Sequence, residues 1–180
     1  MDQLFSIQHS YLIPLLPLGG AIIAGFFCTG ERKKFAHWPI WIGVLGSAIL
    51  SFILLGGMVR LSAKPQAAGS LFTIINWYSW IDAGNFHVNA GFLFDPLTAV
   101  MLCVVCGIGF LITVFAAGYM KGEEVYFRFF AYLGLFIFMM TNLVMGENLV
   151  MLYLGWEGVG LCSYLLIGYY YDKPAAREAA

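Results

Sequence analysis

Long stretches without a charged side chain constrain this sequence more than any other feature. Four of them contain no Asp, Glu, Lys or Arg: residues 3–30, 35–59, 96–120 and 129–146. A fifth, 148–171, contains a single charge, Glu157. A helix crosses a hydrocarbon core of about 30 Å with about 17–25 apolar residues, so each stretch is long enough to span a membrane. The sequence therefore predicts an integral membrane protein.

The composition excludes the common soluble classes. Hydrophobic residues make up 61% of the 180 residues and charged residues 11%, whereas a soluble domain carries about 25% charged residues. The mean hydropathy is +0.83. A net charge of −1 leaves no basic face, so no nucleic-acid partner is expected. Four cysteines in so apolar a chain do not indicate a secreted disulfide scaffold.

The apolar stretches favour helices over a barrel. Only helices and closed barrels pair every backbone group inside a bilayer, and barrel strands would alternate in polarity over about 10 residues. These stretches are continuously apolar instead. We expect one all-α membrane domain over residues 1–180, with spans at about 11–28, 39–58, 96–119, 127–145 and 148–171.

The loop between the second and third spans, about 59–94, is predicted to hold a periplasmic β-hairpin. Residues 86–94 place Phe, Val, Ala, Phe and Phe at alternate positions, which is strand periodicity. Residues 71–81 are rich in strand-favouring Ile, Thr, Trp and Tyr, and 82–85 read Asp-Ala-Gly-Asn, a turn. The alternative is an irregular loop lying on the membrane.

Several local signals predict how the helices begin and pack. Asp95 before Pro96 is typical of a helix N-cap. Gly43, Ser47 and Ser51 place small residues on one helix face, as in close helix–helix contacts. We expect Asn142 to form a hydrogen bond between helices.

Metal binding is not expected. Cys103 and Cys106 form a C-x-x-C match in the middle of an apolar span, without the further ligands that zinc requires. Two packed thiols explain this pair. No histidine shares a helix with a partner at ligand spacing.

The basic residues predict the orientation. Seven would lie on one side of the membrane: Arg32, Lys33, Lys34, Lys121, Arg128, Lys173 and Arg177. Only Arg60 and Lys64 would lie on the other side. The positive-inside rule places the seven in the cytoplasm. We therefore expect a multi-pass protein of a bacterial inner membrane, with a periplasmic N-terminus and residue 180 in the cytoplasm.

Glu157 is the candidate functional residue. It lies near the middle of the fifth span, where a charge costs about 3 kcal/mol on insertion scales, so a function is the default hypothesis. Tyr153 and Tyr164 share its helix face with Gly160, and Ser163 is nearby; these side chains and trapped water are candidates for a hydrated proton path. The alternative is a protonated Glu157 used as a structural hydrogen-bonding group.

The residues from Leu154 to Gly168, LGWEGVGLCSYLLIG, closely resemble the fifth-helix motif of a known family. This family is the largest antiporter-like membrane subunit of respiratory complex I, called subunit L in bacterial NADH:quinone oxidoreductase and chain 5 in mitochondria. The stretches FDPL at 94–97 and RFFAYL at 128–133, and the hairpin loop, are also similar to that family. The resemblance covers the whole chain.

The resemblance implies that Glu157 exchanges or steers protons with a lysine on a broken seventh helix. The energy would come from NADH oxidation by quinone elsewhere in the complex. This chain would bind no cofactor, while NAD, FMN, iron–sulfur clusters and quinone would be held by other subunits. Its partners would be other membrane subunits of the complex, especially neighbouring antiporter-like subunits, and the lipid bilayer.

The family's chains are several hundred residues long, whereas this sequence has 180 residues. We therefore expect either a truncated coding sequence or a fragment corresponding to the N-terminal part of such a subunit. Two alternatives stay open. One is a subunit of a multi-subunit sodium/proton antiporter, and the other is a truncated module with only a structural role.

Overall fold

The computed structural model of the chain describes residues 9–62, 72–84 and 86–180. Lys64, the predicted first hairpin residue Leu71 and the predicted turn residue Asn85 lie outside the described residues. The described chain is helical except for one two-stranded sheet.

Six α-helices are described, and we number them in chain order. They are α1 (Leu12–Ile22), α2 (His37–Ser62), α3 (Pro96–Tyr119), α4 (Tyr126–Met145), α5 (Leu149–Ile167) and α6 (Pro174–Ala179). A π-helical stretch, Ile23–Phe27, continues α1, and 3₁₀ turns cover Gly30–Phe35 and Gly168–Tyr170. The strands are β1 (Thr73–Ala83) and β2 (Phe86–Phe94).

Four helical segments among the described residues are long and apolar enough to cross a membrane. They are Arg32–Ser62, Pro96–Tyr119, Tyr126–Met145 and Leu149–Tyr170. The first helix, with its π-helical continuation, runs over Leu12–Phe27 and is shorter than these four. The described chain is therefore a mostly helical membrane protein with a small sheet.

Helices α1 and α2 pack closely through the predicted small-residue face. A Cβ atom placed on Gly43 would lie 2.5 Å from the carbonyl oxygen of Leu16 on α1. The buried Ser47 hydroxyl donates a 2.7 Å hydrogen bond to the Ile13 carbonyl, across the same contact. Ser51 is also buried, and its hydroxyl donates to the Ser47 carbonyl. The prediction of a close helix–helix contact is confirmed.

The described residues form two hydrophobic clusters, one toward each end of the bundle. The first is built around Ile40, Val44, Phe130 and Ile137, where α2 meets α4 and the π-helical stretch. The second contains Ile13, Leu54 and Leu102 together with Phe92 and Phe94 of β2. The hairpin is therefore packed onto the bundle by its own apolar face.

The two strands form an antiparallel hairpin, so the strand prediction for this loop is confirmed. The pairing runs from Thr73 opposite Phe94 to Ala83 opposite Phe86, with two irregularities in register. The alternate side chains Val88, Ala90, Phe92 and Phe94 are buried, as the period-two pattern predicts. Phe86, at the start of the same series, is 56% exposed because it lies at the hairpin tip.

The hairpin is fastened to the turn between α4 and α5. Phe92 and Gly146 form an isolated antiparallel bridge. The side-chain amide of Asn148 donates to the Asn89 carbonyl at 2.8 Å, and the side-chain amide of Asn76 lies against the Glu147 carboxylate. Three separate contacts therefore connect β1 and β2 to the start of α5.

Two of the local predictions are confirmed and one is wrong. The Asp95 carboxylate accepts a 2.6 Å hydrogen bond from the Thr98 N–H, as expected for an N-cap. Cys103 and Cys106 are free, buried thiols. The Asn142 amide donates to the Phe138 carbonyl of its own helix at 2.8 Å, rather than to another helix. An asparagine side chain in a helix can reach the carbonyl four residues back, and the sequence pattern does not distinguish that acceptor from one on a neighbouring helix.

Candidate functional site

Helix α5 carries the candidate site, and its start is fixed by Asn148. The Asn148 side-chain oxygen accepts hydrogen bonds from the N–H groups of Val150 and Met151, at 3.1 and 3.0 Å. This satisfies two of the backbone donors that the first turn of a helix leaves unpaired. The helix then runs from Leu149 to Ile167, so Glu157 lies close to its midpoint.

One face of α5 packs against α4 through glycine. A Cβ atom on Gly155 would lie 2.6 Å from the Leu143 Cα atom, and one on Gly158 would collide with the Met139 sulfur. Any larger side chain would push α5 away from α4. These two glycines therefore serve helix packing.

The opposite face of α5 is exposed, and Glu157 lies on it. Its neighbours on this face include Tyr153, Trp156 and Tyr164, which are 62%, 65% and 55% exposed. Only 17% of the most apolar stretch of α5 is buried, compared with 39% for α2. Helix α5 is therefore at the edge of the described bundle, and the Glu157 face is covered by nothing in this part of the chain.

Gly160 leaves a gap one turn after Glu157. A Cβ atom built at Gly160 would meet nothing within 4 Å, in contrast to Gly155 and Gly158. The hydroxyl of Tyr153, one turn before Glu157, interacts with the carboxylate. The structure thus brings Tyr153, Glu157 and Gly160 together on one open face, in the order that the sequence spacing predicts.

Ser163 differs from the other candidate residues. Its side chain is half-buried, and its hydroxyl donates a 2.8 Å hydrogen bond to the Val159 carbonyl on the same helix. This bond occupies the hydroxyl proton. The structure therefore shows a local role for Ser163, whereas Tyr164 projects from the exposed face.

The Glu157 face leads to a cluster of arginine and tyrosine at the end of α5. The Arg128 guanidinium lies 5.2 Å from the ring centre of Tyr171 and 5.8 Å from that of Tyr169. It also donates to the Tyr169 carbonyl at 3.4 Å. A cavity of about 230 Å³ between Arg128, Tyr164 and Arg177 adjoins this cluster. Nothing in the sequence pattern indicates that tyrosines surround Arg128.

The described helices contain no cation near the level of Glu157. In this part of the chain, Arg60 and Arg128 lie in the terminal turns of α2 and α4, and the other Lys and Arg residues lie in turns and short helices. No group of three His, Cys, Asp or Glu side chains suited to a metal ion occurs among the residues described. The chemistry that this site offers is therefore that of one carboxyl group on an exposed helix face.

Comparison with known proteins identifies two sequence families within the chain. Residues 80–130 match the family model described as NADH-ubiquinone oxidoreductase (complex I), chain 5 N-terminus. Residues 146–180, which include Glu157, match the model described as NADH:quinone oxidoreductase/Mrp antiporter, TM.

Individual relatives agree with this result. The chain is 40% identical over 169 residues to NADH-quinone oxidoreductase subunit L of Neisseria meningitidis, covering 93% of this chain and 24% of that protein. It is 41% identical over 166 residues to subunit L of Escherichia coli, covering 92% and 26%. For NAD(P)H-quinone oxidoreductase chain 5 of Synechocystis, the identity is 39% over 178 residues, covering 96% and 25%.

The chain thus spans about a quarter of the length of these relatives. Nearly all of its own residues are included in the matches with these relatives, and the two family models cover β2, α3 and α5. The chain belongs to the family of subunit L, or chain 5, of NADH-quinone oxidoreductase.

Proposed function

We propose that this chain is part of a proton-translocating membrane subunit of NADH:quinone oxidoreductase, with Glu157 as the group that binds and releases the proton. One observation carries the proposal: Glu157 is the single ionisable Asp, Glu, Lys, Arg or His residue near the middle of any candidate span in the described chain. A carboxyl group at that depth is costly to insert, by about 3 kcal/mol when charged. Family membership supports the same function.

The neighbours of Glu157 suit proton transfer. The Tyr153 hydroxyl is able to share a proton with the carboxylate, and the gap at Gly160 leaves space for water. Tyr164 would extend the path by about one turn toward the Arg128 cluster. Ser163 contributes least, because its proton is held by Val159.

The exposed face of Glu157 supports a partner from outside the described helices. An opposite charge within about 4–6 Å favours the charged carboxylate, and removing that charge favours the protonated form. A lysine approaching this face would therefore couple its own proton to that of Glu157. We place such a lysine on a further helix of the subunit, as the family resemblance implies.

The redox chemistry lies elsewhere in the proposed assembly. NAD, FMN, iron–sulfur clusters and quinone would be bound by other subunits, and this chain would transmit only protons. Its partners would be other membrane subunits, with neighbouring antiporter-like subunits beside it. The chain would form one membrane domain corresponding to the N-terminal part of the subunit.

We also propose a membrane placement with five crossings, in which Leu12–Phe27 spans along with the four longer segments. The hairpin would face the periplasm of a bacterial inner membrane, and residue 180 the cytoplasm. Two features support this. Lys33, Lys34 and Lys121 lie together at one end of the bundle, and the hairpin packs at the other end, against Gly146.

The Glu157→Gln variant tests the proposed function. Glutamine keeps the size and hydrogen bonding of glutamate but does not exchange a proton. We expect NADH-driven acidification of membrane vesicles to fall severely, with normal amounts of assembled complex on a native gel. Glu178→Gln, at an exposed position in α6, is the matched control and should pump normally. Normal acidification by Glu157→Gln would leave Glu157 a structural residue.

A second candidate function is cation/proton antiport without redox coupling, because the family model matching residues 146–180 also names the Mrp antiporter. In that case, an imposed sodium gradient would drive acidification without NADH, and Glu157→Gln would abolish it. If the chain is part of a complex I subunit, acidification should require NADH instead. The same vesicles, energised in turn by NADH and by sodium, distinguish the two functions.

A further inference from the structure

A basic cavity lies at the end of the bundle opposite the hairpin, between the Gly30–Phe35 turn, the end of α3 and the start of α4. Its volume is about 270 Å³. The polar side chains that line it are Lys33, Lys34, His37, Lys121, Glu123 and Tyr126. Neither the candidate proton path nor the family comparison assigns it a role.

The charge in this cavity is positive on balance, with three lysines and one glutamate. Lys33 is partly engaged, because it donates a 3.2 Å hydrogen bond to the Glu124 carbonyl. Glu123 accepts a 3.0 Å hydrogen bond from the Tyr170 hydroxyl. Among the acidic side chains that the structure describes, none lies at ion-pair distance from Lys34 or Lys121. Two ammonium groups are thus available to an anion.

The cavity wall on the α2 side is rigid and aromatic. The His37 ring packs against Trp41, with ring centres 4.7 Å apart, and its Nδ1 atom lies 3.1 Å from the Tyr126 hydroxyl. Trp41 is itself held by a 3.1 Å hydrogen bond from its Nε1 to the Thr113 carbonyl. Trp38, 5.8 Å from His37, is 51% exposed. Tryptophan is enriched where a membrane protein meets the headgroups.

We propose that this cavity binds the phosphate group of an anionic membrane phospholipid such as phosphatidylglycerol. The proposal rests on the membrane placement given above, which puts the ends of α2, α3 and α4 at headgroup depth. Lysine binds phosphate as a compact point charge, and basic pockets between membrane helices suit lipid headgroups. The exposed Phe35 and Trp38 give the acyl chains an apolar surface beside the cavity.

The size of the cavity agrees with a headgroup rather than a whole soluble cofactor. Small-molecule pockets have volumes of about 300–1,000 Å³ and bury most of their ligand. At about 270 Å³, this cavity has room for a phosphate and its glycerol, while the rest of the ligand would lie outside it. A lipid meets this condition because its acyl chains remain in the bilayer.

Native mass spectrometry of the full chain in detergent, titrated with phosphatidylglycerol or phosphatidylcholine, tests the proposal. We expect phosphatidylglycerol to bind more tightly than phosphatidylcholine. Each lysine removed in the Lys34→Gln and Lys121→Gln variants should weaken its binding about five-fold. Lys173→Gln is the matched control, because Lys173 lies over the Tyr170 ring at the same end of the bundle but does not line the cavity.

The Glu123→Gln variant should strengthen phosphatidylglycerol binding, whereas the lysine variants weaken it. It removes the negative charge in the cavity while an amide oxygen still accepts the Tyr170 hydrogen bond, so phosphatidylglycerol should bind about five-fold more tightly. A folding defect would not produce this gain. Equal binding of the two lipids, or binding unchanged by both the lysine and Glu123 variants, would overturn the proposal.

Inorganic phosphate separates a lipid site from a site for a soluble anion. We expect phosphatidylglycerol to raise the melting temperature of the delipidated chain, and inorganic phosphate at the same concentration to leave it nearly unchanged. Inorganic phosphate alone could instead give the full increase in melting temperature, and the double variant Lys34→Gln, Lys121→Gln could remove that increase. The cavity would then be a free-phosphate site, and the lipid assignment would be wrong. Because this measurement does not involve proton pumping, its failure is distinct from failure of the proposed function.

Discussion

The Asn148 side chain joins the hairpin to helix α5, because its amide nitrogen donates to the Asn89 carbonyl at 2.8 Å while its oxygen caps the helix. Asn148 therefore both binds the hairpin and caps the helix, and different substitutions remove these two interactions separately. Aspartate keeps the capping oxygen and loses the donor, whereas alanine loses both.

We expect Asn148→Ala to lower the free energy of unfolding by about 2 kcal/mol, since a lost N-cap and a lost hydrogen bond each cost about 1 kcal/mol. Asn148→Asp should lose about half of this. Denaturant unfolding in detergent, followed by circular dichroism, measures both variants. Equal losses would mean that the capping oxygen contributes nothing to the free energy of unfolding.

The contact between α1 and α2 predicts that alanine substitutions at two glycines of α2 have different effects on stability. Gly43→Ala would place a methyl group against the Leu16 backbone, and overpacking of this kind costs about 1–3 kcal/mol. Gly56→Ala, where nothing lies within 4 Å, should be neutral or slightly stabilising. Melting temperatures in detergent compare the two. Equal melting temperatures for the two variants would contradict the close packing of α1 against α2 at Gly43.

The open face around Glu157 predicts a graded effect on pumping. Glu157→Asp keeps the proton-binding group but withdraws it by one methylene, so acidification should fall less than with Glu157→Gln. Tyr153→Phe removes the hydroxyl that interacts with Glu157 and should also lower the rate partly. Tyr119→Phe, at a 75% exposed position on α3, should have no effect. A Tyr153→Phe rate equal to that of the parent protein would remove Tyr153 from the path.

Cys28 is predicted to react slowly with alkylating reagents. Burial raises the pKa of its thiol above the usual range, and the nearby Arg32 lowers it by a smaller amount. A raised pKa means less thiolate at a given pH, and the thiolate is the reactive form.

A variant retaining only Cys28, with the other three cysteines changed to alanine, isolates this thiol. Its alkylation rate in the folded state should rise at higher pH than in the chain unfolded in detergent. Arg32→Gln should shift the pH profile of alkylation to still higher pH, while Arg177→Gln should leave it unchanged. Identical folded and unfolded profiles would contradict the effect of burial.

The proposed orientation predicts the outcome of reporter fusions. Green fluorescent protein joined after Gly122 should fluoresce, and alkaline phosphatase joined after Gly84 should be active, because the first folds in the cytoplasm and the second in the periplasm. The reciprocal fusions should be silent. An active phosphatase after Gly122 would invert the proposed orientation.

Patterns with a simple period or a local mechanism predicted much of the fold. The alternation in residues 86–94 gave the strand and its buried face, and Asp95-Pro96 gave the start of α3. Charge-free stretches located the four long apolar helices. Each of these signals depends on residues close together in the sequence.

Features that depend on distant residues were not predictable. The cavity joins Lys33 and Lys34 to Lys121 across about ninety residues, and the contact of Asn76 with Glu147 spans about seventy. The sequence placed Glu157 in the middle of a helix, but its exposure depends on how α5 packs against α4. Only the packing of the whole chain determines such features.

The π-helical stretch at Ile23–Phe27 makes one part of the first helix tolerant of a change in length. A π-turn holds one residue more than an α-turn, so deleting a single residue there would restore ordinary helix and leave both flanking segments in place. A deletion between Leu12 and Gly19 would instead rotate the helix beyond it by about 100°. Gly20, which lies against the Pro39 carbonyl, would then turn away from α2. Natural variation in the length of this helix should therefore be concentrated at residues 23–27.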